Sequence, residues 1–145
     1  MWGDEKLIGK DMLIKCIVVG IGGSLGAISR VWTGSLLASS TDYVFPWGTL
    51  AANLLGSFLL AFILTGMVQS DKLNMRLKLG VTTGFLGSYT TLSSILYDIH
   101  LLSESILYYL AYIVLTLGGG FLAALLGFNS GEKYLDARMK GKGDV

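Results

Sequence analysis

One cysteine, one histidine and one proline set narrow limits on what this chain of 145 residues can do. With Cys16 alone there is no intrachain disulfide and no cysteine metal cluster. His100 alone cannot supply the paired axial ligands usual in a haem-anchoring subunit. Charge is scarce as well: Asp, Glu, Lys and Arg make up 14% of the residues and the net charge is +1, which leaves no electrostatic footprint for nucleic acid. Nor is there an acid–base or nucleophile constellation of the kind an enzyme needs. Asp98 and His100 read as solvated residues at a helix end, and no other carboxylate falls inside an apolar stretch, where a proton-coupled multidrug-type transporter would carry one. What remains is apolar: 52% hydrophobic residues, too many for an ordinary soluble domain.

That apolar content gathers into four segments, at about 13–39, 47–69, 79–99 and 105–128, each long enough to cross a bilayer as helix. The charges between them alternate by side. Lys6, Lys10 and Lys15 stand at the head of the first segment, Lys72, Arg76 and Lys78 between the second and third, and Lys133, Arg138, Lys140 and Lys142 after the fourth. The other two connections carry Asp42, His100 and Glu104 but no Lys or Arg, and the remaining cation, Arg30, lies within the first segment. The positive-inside rule then predicts an all-α, multi-pass protein of the plasma (inner) membrane with both termini cytoplasmic. Residues 1–128 form a single transmembrane domain, 1–12 a short amphipathic lead-in, and 129–145 a polar, mobile cytoplasmic tail. Pro46 before Trp47 suits a helix start, and Tyr43, Phe45 and Trp47 read as an interfacial aromatic belt in contact with lipid.

Twenty glycines in so short a chain call for tight crossings or unwound helix. The run Gly20-Ile21-Gly22-Gly23-Ser24-Leu25-Gly26 imitates a dinucleotide-binding loop, but Leu25 stands where that motif needs glycine and no βαβ unit surrounds it. Gly22 with Gly26, and Gly80 with Gly84, read instead as small-residue pairs for close helix packing. Arg30 either reaches the interface with its long side chain or lends positive potential to an anion vestibule. Asn53 is either glue between helices or a two-proton donor to a dehydrated anion. The stretch from Gly84 through Gly87, Ser88, Thr90, Thr91, Ser93 and Ser94 is too polar for a plain span. It predicts a break in the third helix, with freed carbonyls that can hold a cation and hydroxyls of Thr91, Ser93 and Ser94 that can donate to an anion.

Four motifs in order resemble the Fluc/CrcB family of fluoride channels over about 20–128. They are Gly22-Gly23-x-x-Gly26-Ala27-x-x-Arg30, Gly48-Thr49-x-x-x-Asn53-x-x-Gly56-Ser57, Gly84-Phe85-x-Gly87-x-x-Thr90-Thr91-x-Ser93, and a glycine-rich last helix ending Leu126-Gly127-Phe128. The resemblance implies four transmembrane helices with a break in the third, paired antiparallel with a second subunit around a central structural sodium ion. It places Asn53 on fluoride, Arg30 at a vestibule, and the carbonyls of Gly87 and Thr90 on the sodium. Thr91, Ser93, Ser94, Tyr109 and Tyr112 complete the implied anion pore.

Two departures accompany the likeness. Leu92 and Ile95 stand where the family has pore-lining phenylalanines, and an aliphatic side chain lacks the positive ring edge; Ile106 falls where a pore tyrosine is common. A subunit that inserts both ways up needs balanced loops, and this one has all its loop cations on one side. The expectation is therefore a passive fluoride-export subunit working with an oppositely oriented homologous partner rather than with a second copy. The alternatives are a non-conducting subunit that completes its partner, or a related dimer passing another small ion.

Overall fold

A computed structural model describes residues 2–37, 45–66, 74–102 and 105–143, with side chains over 9–37, 45–66, 74–102 and 105–140. The expected turn at 39–42, Tyr43, the helix exit at 69–71, Lys72 and Glu104 lie outside those residues. The described chain is helical throughout, without strands. Helix α1 spans Trp2–Leu37, α2 spans Trp47–Gly66, and α3 (Met75–Leu79) runs through a π-helical segment, Gly80–Leu86, into the single turn α4 (Gly87–Tyr89). After Thr90 and Thr91 the chain resumes as α5 (Leu92–Leu101), and α6 closes the fold over Ile106–Gly143.

Local chemistry sets several of these boundaries. The Pro46 carbonyl accepts the Leu50 N–H at 3.1 Å, so the proline serves as the first acceptor of α2, where its missing N–H costs nothing. Asn74 caps α3, its side-chain oxygen accepting the Arg76 N–H at 3.0 Å. Two boundaries differ from expectation. The expected lead-in is, from Trp2 onward, the opening of α1 itself, because nothing between it and the apolar stretch breaks a helix. The expected mobile tail after Phe128 is helical as far as Gly143: Glu132, Lys133, Leu135, Ala137, Arg138, Met139 and Lys140 are strong helix formers, and Gly131 is tolerated among them. At 1.5 Å per residue α1 and α6 are about 54 and 57 Å long, well beyond a hydrocarbon core of about 30 Å.

The helices pack as two intimate pairs, α2 on α6 and α1 on the π-helical segment, joined by α1 against α2. Glycine makes the second pair close. A β-carbon on Gly22 would fall on the Gly80 carbonyl oxygen, and one on Gly26 on the Phe85 carbonyl oxygen. Arg76 at the head of α3 reaches back to Asp11 on α1, Nε and Nη2 donating to Oδ1 at 3.2 and 2.9 Å. Gly34 near the end of α1 touches Gly48 at the start of α2, and Gly66 at the end of α2 touches Gly131 of α6. Successive long elements thus run antiparallel, and Lys10, Lys15, Arg76, Lys78, Lys133, Arg138 and Lys140 collect at one end of the bundle.

The chain is nearly inside-out. Among the described residues the buried apolar side chains are Leu50, Ala52, Leu86, Tyr89 and Tyr112, while leucines, valines and isoleucines project outward along every long helix. An apolar exterior of that extent marks contact with lipid or with another protein. Three helical stretches, Gly9–Leu37, Trp47–Gly66 and Ile106–Lys140, are long and apolar enough to cross a membrane.

Candidate functional site: a clamped helix break

The break falls where glycine and hydroxyl residues crowd the third apolar segment. Thr90 and Thr91 take extended backbone, at φ −83°, ψ 148° and φ −153°, ψ 129°. A helix interrupted inside an apolar bundle must satisfy its freed backbone groups within the protein, and Asn53 does this from α2. Its Oδ1 accepts the Thr91 N–H at 2.9 Å, and its Nδ2 donates to the Thr91 carbonyl at 3.4 Å and to the Thr49 carbonyl at 3.0 Å. The Asn53 side chain is 8% exposed. Of the two sequence readings of Asn53, the glue role is the one its contacts display, since both amide hydrogens are engaged by carbonyls.

The resumed helix is capped by the break itself. Thr91 Oγ1 accepts the Ser94 N–H at 3.2 Å and lies 3.0 Å from Ser93 Oγ. In an unbroken helix the Thr91 N–H would serve the Gly87 carbonyl and the Ser94 N–H the Thr90 carbonyl. Both donors are diverted, to Asn53 and to Thr91 Oγ1, so the Gly87 and Thr90 carbonyls are released from helical pairing. Hard carbonyl oxygens of this kind are fit ligands for a hard cation. Packing is tight on the α2 side, where a β-carbon on Gly56 would fall on Thr90 Cγ2. Just before the break, Tyr89 stacks on Phe85 with ring centroids 5.9 Å apart, and its hydroxyl is 3.0 Å from Thr33 Oγ1 of α1.

A second polar group was read wrongly from the sequence. Asp98 is no solvated helix-end residue: it is 9% exposed, two turns beyond the break, and its Oδ2 accepts a 2.9 Å hydrogen bond from the Tyr112 hydroxyl of α6. The Tyr112 side chain is completely buried, with the Phe45 ring edge-on at 5.7 Å. One turn along α6, Thr116 Oγ1 is buried with no hydrogen-bond partner among the described residues. Thr116 went unassigned in the sequence, where a lone threonine in an apolar helix reads as bonded to its own backbone; its spacing of four from Tyr112 was the available signal.

The other candidates are spread more widely. Arg30 is half-buried on α1 and makes no ion pair among the described residues. Tyr109 is half-buried on α6, one turn from Tyr112. Of the positions lacking phenylalanine, Leu92 points out of the subunit at 68% exposure, whereas Ile95 is half-buried. The structure therefore unites Asn53, Thr91, Ser93 and Ser94 at the break and Asp98 with Tyr112 beside it, and leaves Arg30 apart.

Residues 17–128 match the family described as CrcB-like protein, Camphor Resistance (CrcB). A protein named fluoride-specific ion channel FluC 2 from Carboxydothermus hydrogenoformans is 46% identical over 111 residues, covering 75% of this chain and 81% of its own. The fluoride-specific ion channel FluC of Nautilia profundicola is 36% identical over 121 residues, covering 82% and 94%. Fluoride-specific ion channel FluC 1 of Bacillus cereus is 38% identical over 119 residues, covering 80% and 86%. With the family match spanning most of its length and relatives this similar, the chain belongs to the CrcB family.

Proposed function

We propose that this chain is a subunit of a fluoride-selective channel of the plasma membrane, moving fluoride passively and without catalysis. The observation that carries the proposal is the helix break clamped by Asn53 inside an apolar bundle, in a chain whose relatives are named fluoride-specific ion channels. Four crossings are supported by the antiparallel succession of α1, α2, the broken third element and α6, with both termini on the cytoplasmic side by the positive-inside rule. Thr91, Ser93, Ser94, Thr116, Tyr109 and Tyr112 supply hydroxyls along the anion's way, and Arg30 adds positive potential near one end. The carbonyls of Gly87 and Thr90 would hold a sodium ion, whose charge favours an anion nearby.

The subunit works with an oppositely oriented homologue. Collecting its loop cations at one end of the bundle favours a single orientation, and relatives numbered FluC 1 and FluC 2 accord with paired paralogues. The outward-facing Leu92, where a phenylalanine ring is absent, favours a second reading, a subunit that completes its partner's pore without conducting along its own.

Liposome efflux separates these readings. Fluoride efflux well above a chloride control is expected when the chain is reconstituted with an oppositely biased homologue, and background efflux when it is reconstituted alone. Strong efflux from the chain alone would overturn the two-component arrangement. Absence of fluoride efflux in every pairing would overturn the channel reading.

A further inference from the structure

Tyr89 is the last helical residue before the break, it is 7% exposed, and its ring is occupied by the stack on Phe85. Its hydroxyl reaches a different element. Thr33 Oγ1 on α1 gives its one proton to the Ser29 carbonyl at 2.9 Å, so in the 3.0 Å contact with Tyr89 the threonine accepts and the tyrosine donates. A bond across 56 residues therefore ties the near side of the break to α1. The Asn53 bonds tie the far side to α2.

The two ties share a foundation. Thr33 is next to Gly34 and Thr49 next to Gly48, and a β-carbon on Gly48 would stand 2.6 Å from Gly34 Cα. Helices α1 and α2 thus meet main chain to main chain at that point, and Asn53 also donates to the Thr49 carbonyl there. From Tyr89 through Thr33 and the Gly34–Gly48 crossing to Asn53 and Thr91, the contacts close around Thr90. Inside this bracket the Gly87 and Thr90 carbonyls have lost their helical donors. The ties on either side, rather than a helical ladder, set where those oxygens stand. A cation held by carbonyl oxygens depends on that spacing.

We propose that Tyr89, acting through Thr33, is a positioning residue for sodium, its hydroxyl fixing the near side of the break so that the Gly87 and Thr90 carbonyls keep the spacing a cation needs. Tyr89 works indirectly, because its one hydroxyl proton is spent on Thr33. Removing that hydroxyl leaves the stack on Phe85 and the Asn53 clamp in place and frees one side of the bracket. The proposal rests on the sodium reading of the break given above.

The test uses the channel assembled with its partner, in nanodiscs for the thermal midpoint and in liposomes for fluoride efflux, as sodium replaces N-methylglucamine at constant ionic strength. An ion bound by the folded channel raises the midpoint as its concentration passes its dissociation constant. Tyr89→Phe and Thr33→Val are each expected to move both sodium curves to about tenfold higher sodium, the order of one hydrogen bond. Efflux should return to the unaltered level once sodium saturates, with the preference for fluoride over chloride unchanged. The combined variant should shift no further than either alone, and Thr33→Ser, which keeps the acceptor, should follow the unaltered curve. Ser35→Ala removes an α1 hydroxyl bonded to the Val31 carbonyl of its own helix and should also follow it. A merely structural bond gives a different result: the Tyr89→Phe midpoint drops by the same amount at every sodium concentration, and added sodium restores no efflux. That result, or shifts that add in the combined variant, would overturn the proposal while the sodium reading stands. A midpoint and efflux of the unaltered channel that ignore sodium would overturn both, and the fluoride efflux itself would still judge the channel reading.

Discussion

Replacing Gly26 by valine is expected to leave almost no folded subunit in detergent extracts, whereas Gly20→Val is expected to extract and elute normally. The two glycines lie less than two turns apart on α1, in equally apolar surroundings, and differ in what faces them. A β-carbon on Gly20 meets nothing within 4 Å; one on Gly26 lands on the Phe85 carbonyl oxygen and stands 3.1 Å from Phe85 Cα. The obstacle is main chain, which cannot swing aside as a side chain does. The whole π-helical segment would have to retreat from α1, taking Gly80 and Gly84 off their own contacts with Val18 and Val19. In a bilayer, where helices associate through close packing rather than through the hydrophobic effect, little else holds that seam. Overpacking of this kind costs about 3 kcal/mol or more, a large share of a stability of about 5–15 kcal/mol. The measurement is monodisperse yield on size exclusion, with the thermal midpoint of whatever survives. Equal yields for the two variants would refute the seam.

The glycine seam and the helix break were both legible in the sequence, and for related reasons. Small-residue spacing reports close approach directly, and a run of hydroxyls after two glycines is hard to reconcile with an unbroken apolar helix. Other features had no local signature. That Asn53 clamps Thr91 is a pairing across 38 residues, and composition cannot distinguish a clamp from an anion ligand because both use the same amide. Asp98 was misplaced because two extended residues reset the helical phase: after Thr90 and Thr91, the face α5 turns inward follows from the torsions at the break, not from any periodicity upstream. The π-helical turn over Gly80–Leu86 likewise has no sequence mark beyond its glycines. The helical extension of α6 beyond Phe128 was hidden by polarity, which argued for a tail although the residues themselves are good helix formers.

Asn53→Ala is expected to lower the thermal midpoint by about 10 °C and to reduce fluoride efflux to background in the assembled channel. Alanine removes the acceptor of the Thr91 N–H and the donor to the Thr49 and Thr91 carbonyls, in a site that is 8% exposed. A buried donor left without a partner costs about 1–3 kcal/mol, and the loss is greater where hydrocarbon bars water from taking its place. At about 3 kcal/mol, a chain of this size loses roughly 10 °C. Asn53→Asp divides the contribution further. An aspartate can still accept from the Thr91 N–H, but it has no proton for either carbonyl while ionised and faces their negative ends instead. It is expected to conduct no better than alanine, since it sets a second carboxylate beside the break. These outcomes separate the two roles the residue could serve. Were Asn53 only an anion ligand, Asn53→Ala would lose efflux at an unchanged thermal midpoint. If it holds the break open, stability and conduction fall together, because the released Gly87 and Thr90 carbonyls and the Thr91 cap on α5 all depend on where Asn53 keeps the Thr91 peptide.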